Sequence, residues 1–161
     1  MALNWKDIDL VRVPSRPAGG GFWTLTQDFS AGSRLLRIRV INQDRDGNSL
    51  PVLWSLSAGA TGVSCGPDGD PTTSRTGLLC TSAACGALIG KIGGSTADIP
   101  DTTSGANPYT GKKVFAVGKD CILSLPTAAD GGPLFLTMND KPDEFAGHAG
   151  ELQVLLQHFP L

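Results

Sequence analysis

A chain of 161 residues with 40% hydrophobic and 17% charged side chains is long enough to bury its own core, and one domain spanning 1–161 is expected. A net charge of −2 provides no basic footprint for nucleic acid, and no apolar run approaches the about 18 residues of a spanning helix, so neither nucleic-acid binding nor membrane insertion is expected. With 21 glycines and 11 prolines the composition favours short strands and tight turns, hence an all-β fold.

The opening MALNWKDIDLVRV carries acids and has no apolar run after its first positive charge. It does not read as a conventional secretory signal, so a cytoplasmic protein, or one released without a cleaved signal, is expected. Ile8, Leu10, Val11 and Val13 read as a first strand stopped by Pro14. The connection SRPAGGG, Ser15–Gly21, has the glycines of a phosphate loop, but no helix pattern follows, so that reading fails. Phe22–Thr26 is aromatic and β-branched enough for a strand, and Ser30, Ala31 and Gly32 turn the chain into Leu35–Ile41. There Leu36, Ile38 and Val40 alternate with Arg37 and Arg39, as in an antiparallel strand with one buried face. The arginines read as a solvated face, with an anion site as the alternative.

Asp44, Asp46 and Asn48 begin a calcium-loop pattern, but the bidentate Glu of an EF-hand does not follow and Gly47 suits a hairpin turn. Val52–Leu56, with Trp54, is the next strand. Cys65–Gly94 shows little periodicity before Ala87, and so long a loop points to function or disorder. Inside it, GALIGK echoes a Walker A loop, yet the glycines stand too close and Ile92 replaces the hydroxyl that magnesium needs, which excludes nucleotide binding. Ala87–Ile92 reads as a strand, Asp98–Gly111 as a second long loop, and Val114–Val117 and Cys121–Leu125 as strands. The four cysteines, Cys65, Cys80, Cys85 and Cys121, follow no zinc spacing. Cys80 and Cys85 could pair around TSAA, whereas a reducing compartment favours free buried thiols; the sequence leaves both open.

The last long stretch, Leu134–Leu156, holds a strand, an acid-rich turn and a second strand: Leu134, Leu136 and Met138 alternate before the turn, and Leu152, Val154 and Leu156 after it. The segment Asn139–Gly150 is too polar to be core and concentrates Asp140, Asp143, Glu144 and His148 between apolar strands. That makes it either a solvated hairpin or a cation and ligand site. No GxSxG or HExxH motif is present, and acids adjacent in one turn do not establish the separation that glycoside hydrolysis needs, so no enzyme is expected. His158, beside Phe159, reads as edge packing.

Two stretches keep a common register. One is GPDGD (Gly66–Asp70), then Gly77, Leu78, Leu79 and Cys80, then CGAL and KIG between Cys85 and Gly93, then Ile99 and Pro100. The other places Asn139, Asp140, Pro142, Phe145, Gly150, Leu152 and Val154 in an ND…G-x-L-x-V frame. Together they resemble the bacterial galactophilic lectins of the PA-IL type, known from Pseudomonas. The resemblance implies an antiparallel β-sandwich of jelly-roll, galactose-binding-like type that forms homo-oligomers and binds a galactoside or other glycan through a bridging calcium.

By this resemblance Asp140 stands where an acid binds calcium and sugar hydroxyls, and Glu144 where a backbone carbonyl does. Gly147 and His148 stand in place of two asparagines whose side-chain oxygens hold the metal, and neither supplies such an oxygen. A further carbonyl is expected near Ser57. Thr73 and Thr76 replace sugar-contacting His and Gln with shorter reach, Lys141 adjoins them in the expected ligand-binding set, and Tyr109 could stack on a sugar or pack its loop. Calcium wants about six to eight oxygens, and this loop offers Asp140 and few carbonyls. The expectation is therefore a lectin-like carbohydrate-binding protein whose calcium site is degraded or absent. Two alternatives stand beside it: His148 with Asp140, Asp143 or Glu144 holding zinc or nickel, which suit imidazole better, and a sandwich kept as a protein-interaction or assembly module.

Overall fold

The computed structural model describes residues 4–29, 34–41, 46–48, 54–56, 64–99 and 114–160. Ser57, Tyr109, Asp44, Val52, the Ser30–Gly32 turn and the Asp98–Gly111 loop beyond Ile99 lie outside the described residues. The described chain is all-β, with strands β1 Lys6–Pro14, β2 Thr24–Asp28, β3 Arg34–Val40, β4 Trp54–Ser55, β5 Ser64–Cys65, β6 Leu88–Ile92, β7 Val114–Ala116, β8 Asp120–Leu125, β9 Pro133–Met138 and β10 Ala149–Pro160. Short 3-10 turns occupy Ala18–Gly20, Ala128–Asp130 and Pro142–Gly147.

Two antiparallel sheets result. One has the order β5-β4-β10-β3-β8, with β1 also paired to β10; the other has the order β2-β9-β6-β7. Between them Leu36, Ile38, Leu152, Val154 and Leu156 of the first sheet meet Leu88, Ile92, Leu134, Leu136 and Met138 of the second. Burying each such side chain stabilises the fold by about 1.5–3 kcal/mol. The alternation read in β3 holds: Leu36 and Ile38 are buried, and Arg37 bonds Asp120 across the outer face at 2.9 Å.

β9 is buried on both faces, which simple alternation does not announce. Phe135 points away from the inter-sheet core into a second cluster with Trp23, Leu79, Cys80, Ile89 and Phe145. Lys91 of β6 is fully buried beside this cluster, its ammonium 4.6 Å from the Phe135 ring and 5.1 Å from that of Trp23, donating to the Ser95 carbonyl at 2.6 Å and to Asp98 at 3.3 Å. Burial pulls its pKa down, against the opposing pull of Asp98. β2 begins later than the aromatic run suggests, because the Phe22 and Trp23 N–H groups both turn to the Thr96 carbonyl, at 2.8 and 3.2 Å.

The glycine motifs serve packing. Gly69 of GPDGD has φ +80°, and a Cβ there would lie 2.7 Å from the Ala87 nitrogen and the Cys85 oxygen. Gly86 of CGAL has φ +82°, and a Cβ would lie 2.5 Å from Cys65 Sγ. Only glycine meets both the dihedral and the space. The Asp70 N–H donates to the Cys85 carbonyl at 2.8 Å and the Leu88 N–H to the Pro67 carbonyl at 2.8 Å, so the two motifs lock against each other. All four cysteines are free.

Candidate functional site

Three segments converge at the start of the Asn139–Gly150 hairpin: the loop Gly66–Gly77, the end of β9, and the Pro142–Gly147 turn with its exit into β10. The hairpin is anchored by Asn139, which is fully buried although polar. Its side-chain oxygen accepts from the Cys80 N–H at 2.9 Å, and its amide nitrogen donates to the carbonyls of Cys80, Ala83 and Ala84 at 2.8, 3.0 and 3.1 Å. That satisfies three carbonyls and an N–H of the Leu79–Cys85 segment at once.

Asp140 follows and is also fully buried. Its Oδ1 accepts from the Lys141 N–H at 2.8 Å and from the Cys85 thiol at 3.6 Å. Its Oδ2 accepts from His148 Nε2 at 2.8 Å and from the Arg75 guanidinium. His148, buried as well, directs Nδ1 to the Ser15 carbonyl at 2.8 Å and tilts its ring against Phe145 at 4.6 Å. Both ring nitrogens thus face oxygens, one of the Ser15 carbonyl and one of the Asp140 carboxylate. Burial pushes the Asp140 carboxyl up, but the hydrogen bonds from His148, Arg75 and the Lys141 N–H outweigh it and hold the pKa below the usual carboxylate range. Burial, then the Asp140 charge, pushes Cys85 up to about 12, which keeps it a thiol able to donate.

The polar turn is therefore not wholly surface, contrary to the reading of Asn139–Gly150 as too polar for core. Asn139, Asp140 and His148 are interior because they satisfy one another and the neighbouring backbone, whereas Asp143, Glu144 and Lys141 remain the accessible rim. Lys141 lies 3.4 Å from Glu144 and 3.7 Å from Asp143, and Arg75 reaches Glu144 at 4.0 Å. The Thr73 hydroxyl donates to Asp70 Oδ2 at 2.6 Å, which leaves it only as an acceptor, and Thr72 donates to the other oxygen at 2.7 Å. Thr76 is exposed on the same loop. Gly147 stands 3.8 Å, measured from an ideal Cβ, from the Leu56 carbonyl and brings no side-chain donor.

Calcium does not fit this donor set. Both Asp140 oxygens are taken by four donors, so the positive charge that a metal would bring to the carboxylate comes from Arg75. Zinc or nickel fares no better, because both His148 nitrogens are engaged, one by the Ser15 carbonyl and one by Asp140. No group of three His, Cys, Asp or Glu side chains able to hold a metal occurs among the described residues. Arg75 is the residue that sequence reasoning missed. It is the sole basic side chain in Gly66–Gly77 and stands between the two threonines singled out there, a signal that a buried partner acid would have made legible.

Lowering the pH should unload this cluster. Because the folded Asp140 pKa is depressed, its contribution is complete above the unfolded value of about 3.9 and is lost as pH falls through the folded value. Urea midpoints should accordingly drop more steeply below about pH 4 for the wild type than for Asp140→Asn; parallel curves for the two would refute the assignment.

No protein-family model matches the chain, and no curated protein matches it.

Proposed function

We propose that the protein is a calcium-independent carbohydrate-binding β-sandwich whose ligand face lies between Gly66–Gly77 and Asn139–Gly150. The observation that carries this reading is the Arg75–Asp140–His148 cluster. It supports a loop frame like that of a metal-dependent lectin in which Arg75 supplies the cationic charge from within the protein. Asp140 then acts as a positioning residue that holds Arg75, while Arg75, Lys141, Glu144 and Thr76 are the groups accessible to sugar hydroxyls. Arg75 suits this role because its planar fork has donors left over after the Asp140 contact. A galactoside is the first ligand to test. Single sites of this shallow, polar kind bind weakly, so useful avidity calls for a homo-oligomer that presents several of them.

Calorimetry with methyl galactoside should give the same millimolar binding in calcium and in EDTA, and Arg75→Ala should weaken it about tenfold. Absence of heat in both conditions at millimolar sugar would overturn the galactoside reading. The reading as a protein-interaction or assembly module is favoured by one observation, the exposed Leu10 and Ile122 on the outer face of the larger sheet beside Arg37 and Arg39. A glycan array without hits, together with a self-associating wild type that Ile122→Asp renders monomeric, would select it.

A further inference from the structure

The Pro142–Gly147 turn also walls a cleft of about 410 Å³, whose opposite wall is residues 16–21 of the Ser15–Gly21 connection and Phe22. This connection is pinned at both ends. The Ser15 N–H and hydroxyl both donate to the Gly150 carbonyl, at 3.0 and 2.9 Å, and the Ser15 carbonyl accepts from His148. At the far end the Phe22 N–H bonds Thr96 and the Phe22 ring meets Phe145 edge to face, centroids 5.3 Å apart.

Between the anchors the chain bows outward through the Ala18–Gly20 turn. Gly19 and Gly20 hold φ of 81° and 77°, and a Cβ on either would meet nothing within 4 Å, so bare peptide groups border the cleft. Arg16 is the one charged side chain among the described residues that line it, and its guanidinium is tied to the rim by a 3.2 Å bond to the Ala146 carbonyl. The volume lies within the about 300–1,000 Å³ usual for small-molecule sites.

We propose that this cleft binds a pyranose bearing a carboxylate. Arg16 offers its remaining donors to the carboxylate, where a planar fork can make two parallel bonds. Phe22 and Phe145 present apolar surface to one face of the ring, and the glycine peptide groups serve its hydroxyls. Neither Arg75, Asp140 nor Thr76 lines the cleft, so the inference goes beyond the galactoside face and stands whether or not that face binds sugar.

The test is an amide NMR titration of the whole chain with sodium glucuronate, with glucose and benzoate as comparison ligands. Glucuronate should shift the amides of Gly19, Gly20, Phe22 and Ala146 with millimolar affinity, and glucose should bind about tenfold more weakly. Arg16 is exposed, so Arg16→Ala should fold, seen as unchanged signal dispersion, and weaken glucuronate about tenfold. Arg16→Lys should fall between, because it keeps the charge but loses the fork. Saturating methyl galactoside should leave the glucuronate-induced shifts unchanged, which separates failure here from failure of the galactoside face. Unmoved amides at about 50 mM glucuronate, far above a millimolar Kd, or equal binding of glucose, or tighter binding of benzoate, would each overturn the inference.

Discussion

Asp140→Ala is expected to cost about 3–5 kcal/mol, among the largest losses available to a single polar substitution, because it strips the counter-charge from the Arg75 guanidinium and leaves the buried His148 without its partner. The wild-type carboxylate accepts from Arg75, His148, Cys85 and the Lys141 N–H. His148 and Cys85 are buried, so solvent does not readily take the place of the lost oxygens at these two donors. Asp140→Asn should cost less, about 1.5–3 kcal/mol, because its carbonyl oxygen still accepts but the charge is gone. Urea unfolding reads both through the midpoint, with the slope unchanged if the native state keeps its compactness. The effect should also be non-additive: Arg75→Ala on the Asp140→Ala background should cost less than on wild type, because the guanidinium has already lost its partner. A loss below about 1 kcal/mol for Asp140→Ala, the scale of a surface ion pair, would show that the cluster does not hold the hairpin.

The second large effect is expected at Asn139. Asn139→Ala removes the partner of the Cys80 N–H and of the Cys80, Ala83 and Ala84 carbonyls. Each buried group left unsatisfied costs about 1–3 kcal/mol, and partial relaxation of the Leu79–Cys85 segment should leave a total of at least about 3 kcal/mol. Asn139→Asp distinguishes bonding from shape. It preserves the volume and the acceptor for Cys80, but it aims a carboxylate oxygen at three carbonyls, so it should destabilise at least as much as alanine. If Asn139→Asp proved milder than Asn139→Ala, the hydrogen-bond assignment would be wrong.

Much of the fold was legible because its signals are local. The period of two in Arg34–Val40 and around Leu152–Leu156 follows from one buried face, and Leu88–Ile92 lay inside a run of apolar residues. The two-sided burial of β9 and the interior position of Lys91 were not legible, because they depend on Trp23 and Phe135 arriving from other strands. The site divides in the same way. Asp140 and His148 stood out by type and by their place in the hairpin. Their burial did not follow, since a polar turn reads as solvated until its partners are placed. Arg75, at a sequence distance of 65 residues from Asp140, could be tied to it only by the fold. The bond of the Thr73 hydroxyl to Asp70, three residues earlier, is local, yet it was not read from the sequence.

Thermal or urea unfolding in calcium against EDTA tests most directly the claim that Arg75 takes the place of a metal at Asp140. A site with a Kd of about 10 µM would raise stability by about 4 kcal/mol at 10 mM calcium. The predicted result is coincident unfolding curves in the two conditions for the wild type. A midpoint that rises with calcium, and that ceases to rise in Asp140→Asn, would contradict the account.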